Sequence, residues 1–216
     1  MRSLDPLVSP SVYLVDDEPG VLTAIARLLR SHGWSVHTYD SPQAFLAELA
    51  PAAVGCAVVD LAMPEIDGLA LQTILSERDS LLGIVFLTGQ GSLNSGVKAM
   101  KSGAVDFLTK PVGEAQLVSA VSSAVARSVA AGAAAHGRKE LLARMAALTP
   151  REHEVMRWVA TGALNKQIAA ELGTVEKTVK VHRARVMEKL RVRSVAELVR
   201  LVDRAGVVDS NGAKAK

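Results

Sequence analysis

Cysteine is nearly absent from this chain of 216 residues. Cys56 stands alone, which excludes an intramolecular disulfide and any cysteine-rich zinc site. Aromatic residues are scarce at 3%, so a core must be built from Val, Leu, Ile and Ala. No apolar run reads as long enough to cross a bilayer. The opening MRSLDPLVSPSV puts acid and proline where a secretory signal needs an apolar centre. A Ser-His-Asp arrangement and a glycine-rich phosphate loop are both missing. These absences predict a soluble, cytoplasmic chain with no membrane partner.

What is present is unevenly placed. Residues 1–130 carry 8 Lys/Arg against 13 Asp/Glu, a balance of −5, while residues 131–216 carry 17 against 9, a balance of +8. An acidic first part joined to a basic second part predicts two domains with different partners, the basic one suited to nucleic acid.

In the first part, apolar runs at 11–15, 35–39, 55–59, 82–87 and 104–108 suit strands. Between them lie patterns that suit helices, such as Val21, Leu22, Ile25, Leu28 and Leu29 on one face. Gly33 ends that helix, and Ser41-Pro42 opens the next as N-cap and first-turn proline. The run 35–39 is the most polar and suits a sheet edge. Strands alternating with helices predict a parallel sheet covered on both faces, with ligands bound beyond the carboxyl ends of the strands.

The residues at those ends carry chemistry. The first run ends in Asp16-Asp17-Glu18, the third in Asp60, the fourth in Thr88 and the fifth in Thr109-Lys110-Pro111. Carboxylates brought together repel unless a cation sits among them. Oxygen donors of this kind suit Mg2+, which takes one or two carboxylates with waters and a phosphate. A lysine and a hydroxyl suit a phosphoryl group, and a carboxylate can itself be the phosphoryl acceptor.

At this point VDDE (15–18), DLAMPEIDGL (60–69), LTG (87–89) and TKP (109–111) together resemble the receiver domain of bacterial two-component response regulators. The resemblance implies a flavodoxin-like, doubly wound five-stranded α/β domain over residues 10–128. It implies that Asp60 accepts a phosphoryl group from a histidine kinase. Asp17 would bind Mg2+ directly with Asp16 close by, and Asp60 and the Ala62 backbone carbonyl would complete the protein ligands. Thr88 would hydrogen-bond the phosphoryl oxygens, Lys110 would pair with them across a candidate cis Lys110-Pro111 bond, and Phe107 is a candidate switch residue. Glu18 reads as a helix-start acid. Ser92 stands where relatives often carry an acid, which bears on the dephosphorylation rate.

Residues 129–147 are Ala-rich with two glycines and read as a partly helical linker. Beyond it, Thr149-Pro150 opens a helix, Asn165 to Leu172 suits a short helix, and Gly173 a turn. Glu176 to Leu190 suits a basic helix with Val179, Val186 and Leu190 inward, and Ser194 caps a fourth helix. A short helix, a turn and a basic helix are the parts of a helix-turn-helix. LTPREHEVMRWVATG, NKQIA and TVKVHRARVMEKL resemble the LuxR-type four-helix DNA-binding domain of the NarL/FixJ class, over residues 148–208. Carried over, Lys180, Val181 and Ala184 face the major groove. Lys166, Lys177 and Thr178 would contact phosphates, and Arg183 and Arg185 are candidates for phosphate or base. Val175 stands where relatives carry a capping Ser, which moves the cap to Thr174. His182 reads as a packed histidine, Glu152 as an internal ion-pair residue, and the last helix as a dimer contact or simple packing.

The combined expectation is a non-enzymatic, phosphorylation-controlled transcription factor. Its partners would be a histidine kinase, double-stranded DNA, a second copy of itself and RNA polymerase. The other classes are a phosphorylation-independent regulator with a receiver scaffold, and an aspartyl-phosphate phosphatase.

Overall fold

Runs rich in Val, Ile and Leu form the strands, because branched side chains pack well in a sheet buried on both faces. The structure, a computed structural model, describes residues 10–89 and 93–205. Ser92 and residues 206–208 lie outside the described residues. The chain divides between Ala133 and Ala134 into two units.

The first unit alternates strand and helix: β1 Ser11–Val15, α1 Pro19–Ser31, β2 Ser35–Tyr39, α2 Pro42–Glu48, β3 Gly55–Asp60, α3 Gly68–Glu77, β4 Gly83–Thr88, α4 Leu93–Lys101, β5 Asp106–Thr109 and α5 from Glu114. The strands pair in parallel in the order β2-β1-β3-β4-β5, the doubly wound α/β arrangement expected, with β2 at an edge. Alternate residues of each strand serve opposite layers. Val12, Leu14, Val58 and Val85 pack with Leu29, Leu117 and Val121 on one face. Val15, Ala57, Val59 and Phe86 pack with Phe45, Leu71 and Leu75 on the other. Strands β3 and β4 run one residue further than the apolar pattern, so Asp60 and Thr88 are themselves the last strand residues.

Helix α5 crosses β4 at very close range. A Cβ on Gly83 would lie 2.5 Å from the Ala124 carbonyl oxygen and 2.8 Å from its Cα. Backbone cannot yield as a side chain does, so Gly83→Ala is expected to cost about 1–3 kcal/mol. Urea unfolding would show a lower midpoint with an unchanged slope. An unchanged midpoint would mean that α5 moves aside freely.

Helix α5 is one helix of 33 residues, Glu114–Ala146, so nearly all of the Ala-rich stretch 129–147 is helical. Alanine's high helix propensity outweighs the two glycines there. The Ser128 hydroxyl accepts from the Gly55 N–H at 2.8 Å and so ties α5 to the start of β3. The sequence reading found no membrane-length apolar run, and α5 corrects it. An 18-residue stretch of this helix has mean hydropathy 1.4, enough by length and composition to cross a membrane. Serines and glycines disguise the run. Its Leu117, Val121, Ala124 and Val125 belong to the first core layer.

The second unit holds the last turns of α5, then α6 Pro150–Ala160, α7 Asn165–Glu171, α8 Glu176–Leu190 and α9 Val195–Ala205. Leu141 and Met145 join Val155, Met156, Ile168, Val179, Val186, Leu190, Leu198 and Val202 in one core. Helix α6 starts with a full capping box between Thr149 and Glu152, with Pro150 at the first turn. Gly173, at φ 60, makes the turn into α8 that a Cβ would strain.

Candidate functional site

The parallel sheet carries the ends of β1, β3, β4 and β5 to one edge, and four polar side chains stand there. Asp16, Asp60 and Thr88 are 4%, 6% and 1% exposed. The Lys110 N–H donates to the Thr88 carbonyl at 2.7 Å, and the Lys110-Pro111 bond is cis. The Lys110 Nζ lies 2.7 Å from Asp16 Oδ2, 2.9 Å from Asp60 Oδ1 and 3.4 Å from Glu18 Oε1. Each buried carboxylate also has a backbone donor. Asp60 Oδ2 accepts from the Ala62 N–H at 2.7 Å, and Asp16 Oδ1 from the Glu18 N–H at 2.9 Å.

Burial pushes the Asp16 carboxyl above the usual range, and the hydrogen bonds from Lys110 and the Glu18 N–H offset this in part. Burial alone would lower the Lys110 pKa, but its hydrogen bonds to Asp16 and Asp60 outweigh that and hold it above the ordinary lysine value. Two buried carboxyl groups therefore share one ammonium. Among the described residues, no group of three or more His, Cys, Asp and Glu forms a metal cage. Mg2+ needs none, since it keeps several waters and uses one or two carboxylates. The donor set of Asp16, Asp60 and the exposed Asp17 fits such an ion in type and charge.

Phe107 is half-buried on β5, its ring 6.4 Å from that of Phe86, and it faces Gly96 of α4. Glu18, read from the sequence as a helix-start acid, does precede Pro19 of α1, and it also reaches Lys110. A link the sequence did not suggest holds the loop after β3. Gln43 on α2 donates to Glu65 Oε2 at 2.6 Å, and Glu65 has φ 63, a conformation that costs a non-glycine residue energy.

In the second unit, Lys166, Lys177, Lys180, Val181, Ala184 and Arg185 are exposed and Thr178 is half-exposed. Lys180 pairs with Glu176 at 3.1 Å, one turn earlier. Arg183 differs from the other candidates: it is half-buried, and its guanidinium donates to Asn165 Oδ1 at 3.0 Å. The N-cap of α8 is Val175, with no side-chain cap, so the expected cap by Thr174 is not made. His182 is half-buried, and its Nδ1 has no hydrogen-bond partner among the described residues. Glu152 is buried, and its Oε2 takes Lys189 at 2.6 Å and the Thr149 N–H at 2.8 Å.

With this geometry in place, comparisons with known proteins agree on both units. Residues 12–122 match the response regulator receiver domain, and residues 146–202 match the luxR family of bacterial regulatory proteins. The response regulator protein TmoT of Ectopseudomonas mendocina is 42% identical over 89% of this chain and 88% of its own. The transcriptional regulatory protein FixJ of Azorhizobium caulinodans is 39% identical over 94% and 96%. Among solved structures, the response regulator StyR has a TM-score of 0.84 at 40% identity, covering 90% of this chain and 98% of that one. The chain therefore belongs to the response regulators in which a receiver domain is joined to a LuxR-type DNA-binding domain.

Proposed function

We propose that this protein is a transcription regulator switched by phosphorylation of Asp60. The observation that carries this reading is the buried set Asp16, Asp60 and Thr88 with the half-buried Lys110 at the sheet's carboxyl edge. Residues 10–128 would form the phosphoacceptor module, 129–147 the connection and 148–208 the DNA-binding module.

A carboxylate oxygen of Asp60 attacks the phosphorus of a phosphohistidine on the kinase. An O–P bond forms, the P–N bond breaks, and the imidazole leaves with its electron pair. The Ala62 N–H and Lys110 hold the Asp60 carboxylate still. Asp16, Asp17, Asp60 and the Ala62 carbonyl would hold Mg2+, which when bound neutralises charge on the phosphoryl oxygens. The Thr88 hydroxyl and Lys110 then bind the new phosphoryl group, which carries about −1.5 to −2 charges in place of the carboxylate's single one. Their movement would shift Phe107 and the α4–β5–α5 surface, favouring a dimer or freeing the second unit. Lys166, Lys177 and Thr178 would meet phosphates, and Lys180, Val181 and Ala184 the major groove, with Arg185 at its rim. A histidine kinase, duplex DNA, a second copy and RNA polymerase are the partners, and the cytoplasm is the compartment.

The test is DNA affinity before and after treatment with acetyl phosphate and Mg2+, on duplexes drawn from a random pool. Tighter binding after treatment supports the reading. Equal binding before and after, with phosphoryl incorporation verified by mass, would favour the phosphorylation-independent alternative.

A further inference from the structure

Arg183 stands nearer the buried side of α8 than Lys177, Lys180 and Arg185, which are exposed. At about 100° per residue, Arg183 stands about 40° from the buried Val179 and about 100° from the exposed Ala184. Val179, Val186 and Leu190, on the same side, are fully buried. Its guanidinium donates through Nη1 to Oδ1 of Asn165, the first residue of α7, at 3.0 Å. At the other end of α7, the Arg151 Nη2 donates to the Leu172 carbonyl at 2.5 Å. Helix α7 has only 7 residues, too few to hold its shape unaided. Two arginines, from α8 and α6, therefore clamp it end to end.

We propose that Arg183 is a positioning residue for DNA binding, a strut from the recognition helix to Asn165, and not itself a contact to phosphate or base. The strut fixes the start of α7, where Lys166 follows Asn165, relative to the groove-facing stripe of Lys180, Val181 and Ala184. The inference rests on the DNA-binding reading of this unit. It separates Arg183 from Lys180, whose exposed partner Glu176 can be exchanged for a phosphate at little cost.

A phosphate contact and a strut leave different signatures. Each phosphate neutralised adds about 0.9 to the slope of log affinity against log salt. The experiment measures affinity against KCl concentration, by fluorescence anisotropy, for a duplex selected from a random pool by the full-length wild-type protein, every protein being treated first with acetyl phosphate and Mg2+. Arg183→Ala, Asn165→Ala, the double variant and Lys166→Ala are compared, each verified as folded by circular dichroism at the assay temperature. The strut predicts that Arg183→Ala and Asn165→Ala each weaken binding by about tenfold, a charge-assisted hydrogen bond's worth. The double variant binds no worse than either single one, and the salt slope stays at the wild-type value. Lys166→Ala alone lowers the slope by about 0.9. If Arg183→Ala lowers the slope as Lys166→Ala does while Asn165→Ala binds like wild type, Arg183 is a phosphate contact and the proposal fails. Single losses that multiply in the double variant overturn it too. Should Arg183→Ala unfold, Asn165→Ala decides, since it leaves the arginine's charge in place: loss with an unchanged slope supports the strut, and wild-type affinity overturns it. Wild-type protein that selects no duplex even after this treatment removes the DNA-binding reading itself and the strut with it.

Discussion

Replacing Asp60 by Asn is expected to reduce phosphoryl transfer from acetyl phosphate at least about a hundredfold, a barrier increase of about 2.7 kcal/mol or more. The reason is chemical. An amide oxygen carries no full charge and is a far poorer nucleophile than a carboxylate. The fold is expected to survive, because Lys110 keeps Asp16 as a partner at 2.7 Å and the Ala62 N–H can still donate to the amide oxygen. The intact mass after incubation with donor and Mg2+ reads the effect directly. Wild type gains one phosphoryl group and Asp60→Asn none. Equal gain in both would place the acceptor elsewhere and overturn the site assignment.

The second large effect lies in the other unit. Glu152 is buried, and its hydrogen bond with Lys189, then the Thr149 N–H, hold its carboxyl well below the usual range, at about 2. A carboxylate whose folded pKa lies below its unfolded value near 4.5 adds stability above pH 4.5 and loses it as pH falls toward 2. The displacement corresponds to about 3 kcal/mol at most. Glu152→Gln is therefore expected to cost about 2–3 kcal/mol at pH 7. Lys189 is about one-third exposed and can turn to water when its partner goes, which keeps the loss below that of a fully buried pair. Unfolding followed by Trp158 fluorescence, in a Trp34→Phe background, isolates this unit. Wild type should lose stability between about pH 5 and pH 2, with the Glu152→Gln profile flatter over that range. Parallel profiles would mean that Glu152 is hydrated and its bonds contribute little.

The strand tips were readable because apolar runs stop abruptly at polar residues. Asp60 and Thr88 end strands whose every other residue is buried, and the chain's period fixes their place at one edge. The α6 start was equally legible, since Thr149-Pro150 with Glu152 three residues on is a local pattern with a local cause. What stayed hidden depends on distance in sequence. Lys110 meets Asp16 across 94 residues, and nothing near either one names the other. Helix phase, not residue type, decides that Arg183 turns inward while Lys180 and Arg185 stay exposed. The length of α5 was misjudged because two glycines look like breaks, whereas alanines on both sides carry the helix through. The α8 start misled in the opposite sense: a polar Thr174 stood ready to cap, and the chain uses the exposed Val175 without a side-chain cap.

The central claim is that the state of Asp60 controls assembly. The measurement that tests it most directly is the molar mass in solution by light scattering, with and without Mg2+ and beryllofluoride, for wild type and Asp60→Asn. The account predicts a rise toward twice the chain mass of 22.8 kDa in wild type with both additives, and no rise in Asp60→Asn. An equal rise in both proteins, or a wild-type mass that stays at one chain while DNA affinity is also unchanged, would contradict it.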